Sequence, residues 1–233
     1  MDHPNRTRIK ICGIRDIPAV QAAVDAGADA VGMVFVPGTP RAVTIQDAEP
    51  IVRALPAFVQ TVGLFVDEPA SRIRQVADSL GLSMVQLHGH ETPDDVAALA
   101  PLRVIKSIAF NAEVINDTLA AWQSPPSNLA GLLFDAAPPS PTAGNTDGKQ
   151  SSNATGGHGR AFDWQALADL MMSSATLANS PIILAGGLTP ANVGRAIGVV
   201  RPFAVDVSSG VEIHRGEKDH TKIHAFCKAV RQA

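Results

Sequence analysis

Eight short apolar runs alternate with eight stretches of helical periodicity along this chain, and that order restricts the fold more than any other feature. The runs read "RIKICGI", "DAVGMVF", "TVGLFV", "MVQLHG", "RVIKSIA", "GLLFD", "PIILAGG" and "FAVDVSSG". Apolar side chains follow one another in them without polar alternation, the pattern of strands covered on both faces. The periodic segments begin with "DIPAVQAAVDAGA" and end with "DHTKIHAFCKAVRQA". Several open on an Asp, Asn or Thr that caps a helix, and two carry Pro in the first turn. Strict alternation of this kind predicts a closed (β/α)8 TIM barrel of the α/β class. An open doubly wound sheet is the alternative, but it needs three glycines after the first strand and "KICGIRDI" offers one.

A length of 233 residues suits one barrel, so a single domain spanning 1–233 is expected. Hydrophobic residues make up 45 %, charged residues 18 % and the net charge is −3. That composition excludes a disordered chain and lacks the basic footprint of a nucleic-acid or anionic-membrane binder, leaving a small molecule as the expected partner. Cys12 and Cys227 are the only cysteines, and the opening "MDHPNRTR" is polar with no apolar signal segment behind it. A reducing cytoplasm is therefore predicted. No uncharged apolar run approaches the roughly 20 residues of a bilayer crossing, which predicts a soluble protein. One interval breaks the rhythm: the segment 136–160, dense in Pro, Gly, Ser, Thr and Asn, is expected to be a long mobile βα loop after strand six, acting as a lid with a dispensable tip.

In a barrel the chemistry sits where strands end and βα loops begin. The polar residues at those places are Cys12 after strand one, Arg41 in "PGTPRAV" after strand two, His88 after strand four and Asp135 after strand six. Strand seven contributes Gly186 and Gly187, and strand eight Asp206, Ser208, Ser209 and Gly210. The turns "LAGGLTPANV" and "VDVSSGVE" bring small residues to the usual phosphate position of barrels, where backbone N–H groups and a helix N-terminus favour an anion. Cys12 and Asp135 come from strands on opposite sides of the barrel, where their side chains face each other across the mouth in a way that suits a proton shuffle. Cys227, in the amphipathic final segment, is expected to be filler. "QLHGHE" also admits a metal site built from His88, His90 and Glu91 with Asp67 or Asp135. No further His follows at another strand end, so His88 is expected to line the pocket as a hydrogen-bonding group while His90 and Glu91 open the next helix.

Taken together, "KICGI", "GMVFVPGTPRAV", "VGLFV", "VQLHG", "LLFD", "GGHGRAFDW", "LAGGLTPANV" and "VDVSSGVE" followed by "GEKDHTKIHAF" resemble the phosphoribosylanthranilate isomerase family. The resemblance covers nearly the whole chain. It implies an isomerase of tryptophan biosynthesis that carries out a cofactor-free, metal-free Amadori rearrangement. N-(5-phosphoribosyl)anthranilate becomes 1-(2-carboxyphenylamino)-1-deoxyribulose 5-phosphate, with Cys12 as base, Asp135 as acid, Arg41 on the anthranilate carboxylate and the two small-residue turns on the phosphate. A thiol base should have its pKa lowered by a positive neighbour, and Lys10, two residues away, is expected on the same side of the strand, either as that neighbour or as part of the barrel floor. The chain departs from the family's Gly-Gly-Thr-Gly with Gly156-Gly157-His158-Gly159, and its segment after Asp135 is longer than the family's norm. Monomer and homodimer are both compatible with these features. Two other functions share the barrel and the phosphate turns: a metal-dependent sugar-phosphate epimerase using His88 and His90, and a non-catalytic phospholigand-binding barrel, which has no use for a facing acid and base.

Overall fold

The computed structural model describes residues 6–136, 162–178 and 180–233. Eight strands pair in chain order: β1 (Arg8–Cys12), β2 (Ala30–Val34), β3 (Gln60–Phe65), β4 (Met84–Leu87), β5 (Arg103–Phe110), β6 (Leu129–Ala136), β7 (Ile182–Leu184) and β8 (Ala204–Val207). Each neighbouring pair is parallel, and β8 returns to β1 to close the barrel. Successive side chains of a strand point to opposite faces. Ile9 and Ile11 thus join the apolar layer under the helices, as do Phe65 and Phe134, whereas Lys10 and Cys12 project inward. The barrel floor is filled by Val62, Ile105, Leu133, Ile183 and Ala204. Nearer the strand ends, Cys12 meets Val34 and Leu64. Polar groups enter the interior above that floor, and this is where a site has room to form.

The outer layer follows the sequence signals closely. After β1, α1 (Ile17–Asp25) starts at Asp16, whose side chain accepts from the Ala19 amide. Helices α2 (Ile45–Ala54) and α4 (Pro93–Ala97) open on capping boxes, Thr44 with Asp47 and Thr92 with Asp95, each cap contributing about 1 kcal/mol. Between them lies α3 (Ala70–Leu80), and α5 (Ile115–Ala120) follows β5. Each of the eight expected helical segments forms a helix, and among the described residues one short helix is added. The segment before β7 folds as two helices, α6 (Trp164–Ser173) and α7 (Ala175–Ala178), because Ser174 leaves the helical region with φ −100° and ψ 115°. After α8 (Val193–Val200) and β8, a 3-10 turn and a hairpin of β9 (Glu212–His214) with β10 (Glu217–Lys218) precede α9 (His220–Arg231). Strands of two and three residues are too short to show a period in sequence, yet this hairpin carries two charged groups to the mouth. No helix among the described residues is long and apolar enough to cross a membrane.

Candidate active site at the barrel mouth

Cys12, the last residue of β1, is buried, and Lys10 lies beneath it on the same inner face. A Cβ on Gly32 of β2 would lie 2.9 Å from the Cys12 sulfur and 3.1 Å from Lys10 Nζ, so the missing side chain is what makes room for both. Parallel pairing sets Lys10 beside Asp206 of β8, and Lys10 Nζ donates to Asp206 Oδ1 at 2.8 Å. Burial opposes the lysine charge, but Asp206 and Cys12 outweigh it and hold Lys10 above its ordinary pKa. The thiol behaves differently from the expectation of a lowered pKa. Burial pushes Cys12 up, Lys10 and Lys218 pull it down, and burial prevails. Desolvation disfavours the charged form, and with the Asp206 carboxylate pushing the same way it outweighs both ammonium groups.

Arg41 follows β2 in a segment tied back to the barrel by a bridge between Val34 and Ala42. Its Nε and Nη2 donate to Glu212 Oε1 and Oε2 at 2.7 and 2.8 Å, a two-pronged, buried ion pair. Lys218 of β10 donates to the same Glu212 Oε1 at 2.9 Å and to the Ser208 carbonyl at 2.9 Å. Burial pushes the Glu212 carboxyl up, yet Arg41 and Lys218 more than offset it and bring it down to about 2. Lys218 moves down as well, because burial outweighs what Glu212 restores. Gly13 has φ 78°, and a Cβ there would lie 2.7 Å from Arg41 Cδ and 3.1 Å from Ser208 Oγ, so glycine lets the Arg41 side chain cross directly over the end of β1. Glu212 and Lys218 were not singled out in the sequence. Both nevertheless fall within the "VDVSSGVE" and "GEKDHTKIHAF" segments that carry the family resemblance.

Two strands, β7 and β8, separate β1 from β6 on one side of the barrel, and four separate them on the other. Asp135 lies near the end of β6, facing inward on the same parity as Leu133. Its Oδ1 accepts the Ala136 amide at 2.7 Å, and its Oδ2 lies 3.5 Å from His88 Nε2. His88 Nδ1 in turn meets Gln86 Nε2 at 3.1 Å. The turn after β7 adjoins this acid. A Cβ on Gly186 would lie 2.6 Å from the Ala136 amide nitrogen and 3.0 Å from Asp135 Oδ1.

Gly186 and Gly187 both take positive φ, 78° and 64°, and the Gly187 amide donates no hydrogen bond among the described residues. Asn192 fixes this turn: its side chain donates to the Gly187 carbonyl at 2.9 Å and accepts from the Thr189 amide at 2.8 Å, immediately ahead of α8. Gly210 approaches the Leu188 carbonyl so closely that any side chain there would collide, which brings the Ser208–Ser209–Gly210 turn against the Gly186–Gly187 turn. The two expected phosphate turns are therefore neighbours. Asp206, expected in the same set, lies a step deeper and is paired with Lys10. The metal reading is not supported among the described residues. His88 faces inward, whereas His90 is exposed and meets Asp67 at 3.0 Å. Glu91 is buried on Lys106 at 2.7 Å, and no group of three ligating side chains converges. Cys227 is buried in α9, where desolvation raises its thiol to about 11, in keeping with filler. Residues 137–161 lie outside the described residues, and with them the expected lid, His158 and its neighbouring glycines.

Residues 9–229 match the sequence model of the family described as N-(5′-phosphoribosyl)anthranilate (PRA) isomerase. An N-(5′-phosphoribosyl)anthranilate isomerase of Pseudomonas fluorescens is 42 % identical over 226 residues, covering 97 % of this chain and 96 % of that protein. Among solved structures, phosphoribosyl anthranilate isomerase from Thermotoga maritima superposes with a TM-score of 0.81 at 36 % identity, over 97 % of this chain and 100 % of that one. A phosphoribosyl anthranilate isomerase in complex with reduced 1-(o-carboxyphenylamino)-1-deoxyribulose 5-phosphate gives 0.78 at 35 % identity with the same coverage.

Proposed function

Because the chain belongs to the N-(5′-phosphoribosyl)anthranilate isomerase family, an isomerase of tryptophan biosynthesis acting on a phosphorylated small molecule, we propose that Cys12 and Asp135 perform its proton transfers. The observation that carries this reading is the placement of one buried thiol and one inward carboxyl at the ends of β1 and β6, on different sides of one barrel mouth. Asp135 delivers a proton to the furanose ring oxygen as the nitrogen lone pair opens the ring to a Schiff base. That cation acidifies the C2′ hydrogen, which the Cys12 thiolate removes, and the resulting enolamine tautomerises to the ketone. Two N–H donors near Asp135, the Ala136 amide and the His88 ring, suit the carboxylate left after proton delivery.

The phosphate falls to the Gly186–Gly187 and Ser208–Gly210 turns, where glycine permits close backbone approach near the start of α8. Arg41 keeps Nη1 for the anthranilate carboxylate, its other two nitrogens being committed to Glu212. Two free, buried thiols suit the reducing cytoplasm. The test follows the loss of substrate fluorescence with purified full-length protein. Cys12→Ser should lower kcat by about 10² to 10⁴ with far less change in KM, and Asp135→Asn should abolish ring opening yet still bind the reduced product analogue. Near-normal turnover in Cys12→Ser removes the base assignment. Equal loss of binding and turnover in Asp135→Asn makes that residue a binder.

A further inference from the structure

We propose that Gln86 is a positioning residue that locks the His88 imidazole in its Nε2–H tautomer and so aims a neutral N–H donor at Asp135. The inference rests on the reading of Asp135 as the acid. Gln86 is in β4, two residues before His88, so both side chains project to the inner side of the barrel. It is completely buried, and its amide nitrogen stands 3.1 Å from His88 Nδ1. An amide nitrogen donates and does not accept, so the ring nitrogen that faces it is the one with the lone pair. In a neutral imidazole the proton then belongs to Nε2. That nitrogen lies 3.5 Å from Asp135 Oδ2, a long contact of the kind catalytic hydrogen bonds show before substrate binds.

A second observation points the same way. Gln86 Oε1 is buried and meets no donor among the described residues. An unsatisfied carbonyl inside a barrel costs free energy that Leu or Met would not incur. Its partners across the sheet, Leu64 and Ile105, are apolar, so the surrounding layer gives no reason for an amide. The one described polar group that Gln86 meets is His88 Nδ1. Fixing that tautomer has a chemical consequence. A ring holding its proton on Nε2 donates to Asp135 and cannot take the acid's proton, so the proton leaving the carboxyl passes to the furanose oxygen as the C–O bond breaks. The carboxylate left behind then has a donor on each oxygen, the Ala136 amide on Oδ1 and the His88 ring on Oδ2.

Ring nitrogen NMR on histidine-labelled full-length protein reads the tautomer directly, with the His88 signals assigned by their loss in His88→Asn. The parent protein should show Nε2–H. Gln86→Met should mix the two tautomers, and Gln86→Glu, whose carboxylate accepts from Nδ1, should reverse the order. Both variants should lose about tenfold or more in kcat while KM stays within about threefold. An Nδ1–H ring in the parent, an Nε2–H ring that persists in both variants, or unchanged kcat in both would overturn the proposal. If Gln86→Met does not fold, the parent spectrum and the near-isosteric Glu variant still decide it. Failure of the acid reading shows separately, as turnover kept by Asp135→Asn, and with the parent ring still Nε2–H that result leaves the tautomer lock supported.

Discussion

Replacing Glu212 by Gln removes the single carboxylate that two buried cations share, and the structure sets the size of the effect. Arg41 reaches both oxygens at 2.7 and 2.8 Å, and Lys218 adds a bond of 2.9 Å. Against the opposing push of burial, these partners carry the carboxyl from 4.5 to about 2. At roughly 1.4 kcal/mol per tenfold change in proton affinity, the fall corresponds to about 3 kcal/mol of native-state stabilisation. The Glu212 side chain is 4 % exposed, so solvent screening takes little from that figure. A separate estimate agrees, since deleting one partner of a buried ion pair costs about 3 to 5 kcal/mol. The sign follows from the direction of the shift. A carboxyl whose folded pKa lies below its unfolded one contributes fully above the unfolded value, and the contribution disappears as pH falls toward the folded value. Urea unfolding of Glu212→Gln should therefore show a deficit of about 3 kcal/mol at pH 7 that narrows as pH drops from 5 toward 3. A deficit under about 1 kcal/mol at neutral pH, the size of an exposed pair, refutes the reasoning. So does a deficit of the same size at pH 7 and pH 3.

Arg41→Met should weaken binding of the anthranilate compound far more than that of an aniline analogue lacking the carboxylate, measured by inhibition constants; equal losses would reduce Arg41 to a partner of Glu212. Lys10→Met takes away the ammonium nearest the thiol and leaves Asp206 unpaired, so alkylation of Cys12 at pH 8, followed by mass spectrometry, should slow by about tenfold. An unchanged or faster rate would mean that Lys10 does not act on the thiol. Since burial raises Cys12, its alkylation in the parent protein should speed up steadily from pH 6 to pH 9 with the thiolate fraction, and a rate that levels off below pH 8 would mean that the thiol is not raised.

The barrel was legible because it repeats: each strand is an apolar run and several helices open on a capping side chain, so both signals are local. The places of Cys12 and Asp135 at the barrel mouth were legible for a related reason, as polar side chains ending runs that are otherwise apolar. Gln86 met neither condition, since it lies inside "MVQLHG" where a single amide looks like a tolerated core residue. The ion pairs were invisible because they join distant parts of the chain. Lys10 and Asp206 are 196 residues apart, and Arg41 and Glu212 are 171 apart. Only closure of β8 onto β1 brings these partners together. The pKa direction of Cys12 failed as an expectation for the same reason. A nearby lysine is visible in "KIC", whereas the desolvation that outweighs it exists only once the barrel has formed around the thiol.

Those ion pairs leave a charge imbalance that bears on the thiol. Among the described residues on the β1 and β8 side of the mouth, three buried cations, Lys10, Arg41 and Lys218, stand with two buried carboxylates, Asp206 and Glu212. A buried positive charge in excess is costly, and Lys218 is the one whose proton affinity falls. A Cys12 thiolate is the anion that balances the set, and it raises the proton affinity of both Lys10 and Lys218. Losing the proton from sulfur and keeping the protons on nitrogen therefore support one another. Burial still favours the thiol, so the thiolate that forms here is a stronger base than that of an exposed, low-pKa cysteine. For removing hydrogen from carbon, base strength counts as well as population, because the rate of proton transfer rises with the basicity of the acceptor. On the proposed reading of Cys12 as the base, the cations favour the thiolate while burial raises its basicity toward the C2′ hydrogen.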